Sequence, residues 1–232
     1  MTTLVAIETS TDLATVALLH NDELSVLTAM GTTTHSQSIL PMIQQLLREA
    51  NIRLAECDAV AFGAGPGSFT GVRTACGVAQ GLAFGADLPV VAINTLEAMA
   101  LACHDATGAP SVLPILDARM GEVYWAQYDF SAGLAITSAP CLSAPAMVIS
   151  HGAVTACGNG LHVFSARDTE PAFLRNARAD LMPHAAQIAQ LARRALQAGL
   201  QVHARDAQPI YLRNQVALTT AERLQKKLQA AA

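Results

Sequence analysis

Short apolar runs and longer amphipathic stretches alternate along the 232-residue chain. Residues 4–7, 14–19 and 24–27 are apolar, rich in β-branched side chains and parted by Thr11-Asp12 and Asn21-Asp22, which predicts three consecutive antiparallel strands. From Ile39 the apolar positions fall at Ile39, Met42, Ile43, Leu46, Leu47 and Ala50, the spacing of one helix face, with Pro41 tolerated in the first turn. A strand over 59–62, a glycine-rich loop, a helix over 68–84, a strand over 89–93 and a helix from Thr95 follow. The order is βββαβαβα.

After Pro110 a similar order restarts, with strands over 112–116, 122–128 and 134–137. A strand over 154–157 and helices over 183–198 and 217–230 complete it. Two such meanders, each followed by mixed helix and strand, predict an α/β fold of two ribonuclease H-like lobes, the architecture of the actin, Hsp70 and sugar-kinase (ASKHA) superfamily. The lobes divide as 1–106 and 107–232, with the last helix able to pack back on the first lobe. Fold alone assigns no activity.

Composition narrows the classes. Apolar residues make up 52% and charged residues 14%, which excludes a disordered chain. The stretch 132–166 lacks charge but is broken by Pro140, Pro145, His151 and Gly152, so no membrane span is expected. The start has no basic segment followed by a long apolar core, so no targeting segment is expected either. Five cysteines without a C-x-x-C pair fit small buried hydrophobes in a reducing cytoplasm.

The net charge of −4 hides a polarised chain. Residues 1–130 carry four Lys/Arg and thirteen Asp/Glu, net −9, while 131–232 carry ten and five, net +5. Strong nucleic-acid binding needs clustered positive charge, so the chain alone is a poor RNA binder. The only lysines are Lys226 and Lys227, which removes P-loop and most Schiff-base chemistry.

The most distinctive segment is Gly63-Ala64-Gly65-Pro66-Gly67-Ser68-Phe69-Thr70-Gly71-Val72-Arg73, between a strand and a helix. Glycines there allow close backbone approach, and free N–H groups at a helix start attract anions. No Gly-Lys-Ser/Thr follows, and Ser68 stands where a dinucleotide fingerprint needs its third glycine. A phosphate cradle using Gly65 and Gly67 and a tight structural turn both stay open.

In the following helix Gly71, Ala75, Ala79 and Ala83 form one i, i+4 row, and Arg73, Gly77, Gly81 and Gly85 form the row beside it. Glycine inside a helix costs about 1 kcal/mol relative to alanine, so the bare face needs a compensating contact. That contact is either the helix's own sheet or a second subunit.

Thr9, Ser10 and Thr11 sit in the first hairpin turn, just after Glu8, and Asp117, Ala118 and Arg119 sit in the corresponding turn of the second meander, with Glu8, Thr9, Ser10 and Asp117 as candidate nucleotide contacts. In two-lobed nucleotide-binding folds these turns face each other, so Glu8 and Asp117 are candidates to face a nucleotide or its magnesium; Asp and Thr are also ordinary turn residues. The seven histidines show no H-x-x-x-H or H-E-x-x-H spacing, so no metal site is expected.

At Ala6-Ile7-Glu8-Thr9-Ser10, His35-Ser36, the Gly65–Arg73 run, Asp117-Ala118-Arg119 with Glu122-Val123-Tyr124, and Pro209-Ile210-Tyr211-Leu212-Arg213, the chain resembles the TsaB (YeaZ) family. The resemblance implies a cytoplasmic, non-catalytic partner of the transferase TsaD. That enzyme moves threonylcarbamoyl from threonylcarbamoyl-AMP to N6 of adenosine 37 in tRNAs reading ANN codons. It further implies the ATPase TsaE as a third member, tRNA contact only through the complex, and a homodimer when TsaD is absent. The helix bearing Gly71 to Gly85 would serve both assemblies, so they exclude each other. No tightly bound cofactor is expected, with ATP or ADP placed at a subunit boundary. A nucleotide-dependent enzyme using Glu8, Asp117 and the glycine loop, and a metallopeptidase, are the competing classes.

Overall fold

The computed structural model describes residues 2–29, 35–164 and 171–213. Its first sheet is built from β1 (Leu4–Glu8), β2 (Ala14–His20), β3 (Glu23–Ala29), β4 (Ala59–Gly65) and β5 (Val90–Asn94). The order is β3-β2-β1-β4-β5, with β1 antiparallel to β2 and parallel to β4, as a ribonuclease H-like lobe requires. β1 and β4 are buried along their whole length, because helices cover both faces of a parallel region.

The pleat assigns each side chain to a face. Val5, Ile7, Val60 and Phe62 point into a core closed by α1 (His35–Glu49) and α2 (Phe69–Ala86). Leu4, Ala6, Ala59 and Ala61 point the other way, towards α4 (Ala185–Gln197) and part of α3 (Thr95–Thr107). α2 starts at Ser68, whose Oγ accepts from Gly71 N–H at 3.4 Å, and stops at Asp87, left-handed with φ 53°. Asn94 caps α3 by accepting from Leu96 N–H at 2.9 Å and Glu97 N–H.

The second sheet comprises β6 (Ser111–Asp117), β7 (Val123–Asp129), β8 (Ala135–Ser143) and β9 (Thr155–Cys157), ordered β8-β7-β6-β9. β8 runs six residues beyond the 137 limit read from the sequence. Pro140 marks no strand end there because β8 is an edge strand, where a missing N–H interrupts no ladder. Buried Gln127 in β7 grips the loop after β8: its amide donates to the His151 carbonyl and accepts from His151 N–H, both at 2.8 Å.

The 106/107 division separates the sheets but not the lobes. α4, assigned to the second lobe by position in the chain, packs on β1, β2 and β4 of the first. Its buried stripe of Ala185, Ile188, Ala189, Leu191 and Ala192 covers the alanine-lined face of that sheet. Thr15 Oγ1 fixes its start by accepting from Ala185 N–H at 2.9 Å, and Asp22 pairs with Arg193 at 2.6 Å. The chain then stays with the first lobe: Val202 pairs with Val90, and Ala204, Ala207 and Ile210 join the α1/α2 core. The helix expected over 217–230 lies outside the described residues.

α3 belongs to both lobes. Leu96, Met99, Ala100 and Cys103 pack with Val112, Leu116 and Tyr128 of the second sheet, while Ala98 and Leu101 pack with the first. No described helix is long and apolar enough to cross a membrane.

Candidate functional site

The glycine loop is shaped by its own chain. A Cβ on Gly63 would lie 1.9 Å from Glu8 Oε2, one on Gly67 2.6 Å from the Ser10 backbone oxygen, and one on Gly71 1.8 Å from the Thr9 oxygen. Three glycines at four-residue intervals thus make room for the β1–β2 turn to lie across the loop and the start of α2. Two hydrogen bonds fasten it: Ser68 N–H donates to the Ser10 carbonyl at 2.7 Å, and Thr9 Oγ1 donates to the Gly71 carbonyl at 2.8 Å. These contacts support the structural-turn reading, since Ser10 fills the Cβ position of Gly67 and the Ile210 backbone covers that of Gly65.

This packing corrects the expectation for Glu8 and Thr9. Both are fully buried and neither lines the space between the lobes. Ser10 N–H donates to Glu8 Oε1 at 2.5 Å, Glu8 Oε2 has no hydrogen-bond partner among the described residues, and burial pushes the carboxyl pKa up despite the nearby Ser10 groups. A carboxyl sealed beneath Gly63 faces no magnesium. Gly65 is also off the wall, because the Ile210 backbone covers it: its Cβ position is 3.0 Å from the Ile210 oxygen.

Ser10, Gly67 and Asp117 do meet at one place. The two hairpin turns face each other across a cleft of about 350 Å³. Ser10 to Asp12 and the Gly67–Phe69 segment form one wall, and the β6–β7 turn from Asp117 to Met120 forms the other.

Asp117 is engaged in its own turn: Oδ1 accepts from Arg119 N–H at 2.7 Å, and Oδ2 lies 3.4 Å from the Arg119 guanidinium and 3.8 Å from His162 Nε2. Its backbone N–H donates to Asn159 Oδ1 at 3.1 Å. This supports the turn-residue reading of Asp117.

Residues 209–213 form a strap along the same cleft, with Ile210 to Arg213 lining it. The sequence offered no role for them beyond membership of a motif. Charge alternation gave no signal, because each of their partners is more than 85 residues away in the chain.

The two rows of α2 separate. Gly71, Ala75, Ala79 and Ala83 are buried against the helix's own sheet, so they cannot form a subunit contact; they are the part of the predicted interface that the structure corrects. Among the described residues Arg73, Gly77, Gly81 and Gly85 are exposed, and a Cβ built on any of the three glycines meets nothing within 4 Å. Phe84 beside them is 81% exposed. Arg73 lies over the Phe69 ring at 3.4 Å. Among the described residues no three His, Cys, Asp or Glu side chains converge as a metal site would need.

Comparison with known proteins agrees with this architecture. A family model described as TsaD, tRNA N6-adenosine threonylcarbamoyltransferase, matches residues 30–221. The protein named tRNA threonylcarbamoyladenosine biosynthesis protein TsaB from Escherichia coli is 35% identical over 92% of this chain and 96% of its own length. The protein of the same name from Haemophilus influenzae is 50% identical, over 54% of this chain and 53% of its own length; the chain thus spans about half of that relative. A crystal structure titled YeaZ from Pseudomonas aeruginosa is 37% identical, with a TM-score of 0.84 over 91% of this chain and 100% of that one. With the whole two-lobed fold and most of its length matched, the chain belongs to the TsaB (YeaZ) family.

Proposed function

We propose that this chain is the non-catalytic partner subunit of the TsaD transferase, supporting transfer of threonylcarbamoyl to N6 of adenosine 37 in ANN-reading tRNAs. The observation that carries the reading is the outward row of α2. The helix-interior glycines Gly77 and Gly81 cost roughly 2 kcal/mol relative to alanine, and among the described residues nothing comes within 4 Å of the Cβ positions of Gly77, Gly81 or Gly85. A second helix can approach such a strip more closely than a surface with side chains. A partner seated there stabilises whichever TsaD conformation binds it better, without supplying chemistry.

The names of the E. coli and H. influenzae relatives support a place in tRNA threonylcarbamoyladenosine synthesis. The burial of Glu8 and the pairing of the cleft-lining Asp117 with Arg119 of its own turn favour this reading over a nucleotide-dependent enzyme. A net charge of −4 fits tRNA contact delegated to the assembly. In this reading the same α2 row makes the homodimer when TsaD is absent, TsaE joins the assembly, and ATP or ADP binds at a subunit boundary.

Gly77→Leu and Gly81→Leu test the surface. Each leaves the chain folded and abolishes co-elution with TsaD on gel filtration, because the added side chain forces helix axes apart. Reconstitution of tRNA modification with and without this chain tests the role: modification by this chain without TsaD overturns it, as does full TsaD activity in its absence.

A further inference from the structure

Among the described residues the chain crosses between the lobes after α3 and again before α4. The strap of residues 209–213 makes a third, non-covalent crossing, at the cleft. Its first anchor is on the first lobe: Ile210 N–H donates to the Ala64 carbonyl at 2.7 Å, backbone on backbone. The second is on the other lobe, where Arg213 Nη1 lies 2.6 Å from Glu122 Oε2 and Nη2 donates to the Ala118 carbonyl at 3.0 Å. The Arg213 side chain is 17% exposed and Glu122 is 35% exposed, so the pair is partly withdrawn from solvent, and the second bond to the Ala118 carbonyl fixes the guanidinium in place. Between the anchors the Tyr211 hydroxyl accepts from Arg73 Nε–H at 2.8 Å.

We infer that residues 209–213 are a latch that sets the angle between the lobes, and that Arg73 connects this latch to the occupant of the α2 face. Arg73 stands in the same exposed row as Gly77 and Gly81, so a helix laid along that row meets its side chain. Its guanidinium is held by the Phe69 ring below and the Tyr211 hydroxyl beside it. Turning Arg73 towards a partner removes the hydrogen bond that steadies the strap midway between its two anchors. The coupling to a partner rests on the docking reading above; the latch itself does not.

The test uses the full chain carrying Cys141→Ser and nitroxide labels at Gln45→Cys on α1 and Ile136→Cys on β8, both exposed and one on each lobe. Pulsed electron resonance reads the distance between them. The expected result is one narrow distribution in this background, broadened with a longer component by Arg213→Met and by Arg73→Met. The exchange Arg213→Glu with Glu122→Arg restores the narrow distribution, which separates the ion pair from a general loss of folding. Unchanged distributions in both single variants overturn the latch, and failure of the exchange to restore overturns the Arg213–Glu122 pair as its anchor.

Adding TsaD shifts the distribution in the parent and not in Arg73→Met. Assembly without any shift in the parent overturns the coupling alone. Absence of assembly removes the docking reading and leaves the latch to stand on the measurements of the isolated chain.

Discussion

Gly71→Ala and Gly77→Ala place the same methyl group on the same helix six residues apart, and the structure gives them opposite signs. At Gly77 the new Cβ meets nothing within 4 Å among the described residues, so the gain is that of alanine over glycine in an exposed helix interior, about 1 kcal/mol. At Gly71 the Cβ lies 1.8 Å from the Thr9 oxygen and 2.9 Å from its carbonyl carbon. The obstacle is backbone, so the turn or the helix start must move, and the Thr9 Oγ1 to Gly71 bond of 2.8 Å is strained with it.

Overpacking of this kind costs about 1–3 kcal/mol or more, and loss of a hydrogen bond about 1 kcal/mol, which together exceed the propensity gain. For a chain of this size each kcal/mol moves the thermal midpoint by about 2–4 °C. Thermal unfolding followed by circular dichroism therefore shows Gly77→Ala melting about 2–4 °C above the parent and Gly71→Ala several degrees below it. A Gly71→Ala protein as stable as the parent refutes the claim that this glycine exists to admit the β1–β2 turn.

Glu8→Gln raises stability at neutral pH, by a pH-dependent amount. The folded-state pKa of Glu8 lies above the unfolded value of 4.5, so the parent loses stability as pH rises from 4.5 through the folded value, while the variant has no such loss. The advantage in chemical denaturation disappears as pH falls towards 4.5; a constant advantage across that range counts against a buried neutral carboxyl. Gln127→Leu removes both bonds to the His151 backbone, costs about 2 kcal/mol and speeds proteolytic nicking near Gly152. In the native chain at mildly alkaline pH, iodoacetamide labels Cys141 before Cys57, which is buried and has its thiol pKa pushed up to about 11; peptide mass spectrometry reads the order.

Local signals were sufficient for most elements. The spacing from Ile39 to Leu47 marks the buried face of α1, and Asn94 before α3 is a cap that composition alone suggests. The return of α4 to the first lobe was not legible, because its alanine stripe fits any flat apolar surface and chain order favoured the nearer sheet. The two rows of α2 were visible as rows, but which one faces the sheet depends on the rotation of the helix, fixed by Val72 and Cys76 packing inward. Glu8 showed no sign of burial in a sequence that places it among turn residues. The strap was visible only as a motif; its meaning lies in partners such as Arg73 and Glu122 that the fold alone brings to it.

The alanine-lined face of the first sheet has a consequence for biosynthesis. β5 ends at Asn94, but the helix that covers Leu4, Ala6, Ala59 and Ala61 ends at Gln197, roughly 100 residues later. At ordinary translation speeds that interval is on the order of 5 to 20 s. Throughout it the nascent first lobe presents an apolar sheet face that only part of α3 covers, a surface suited to a holding chaperone until α4 emerges to seal it.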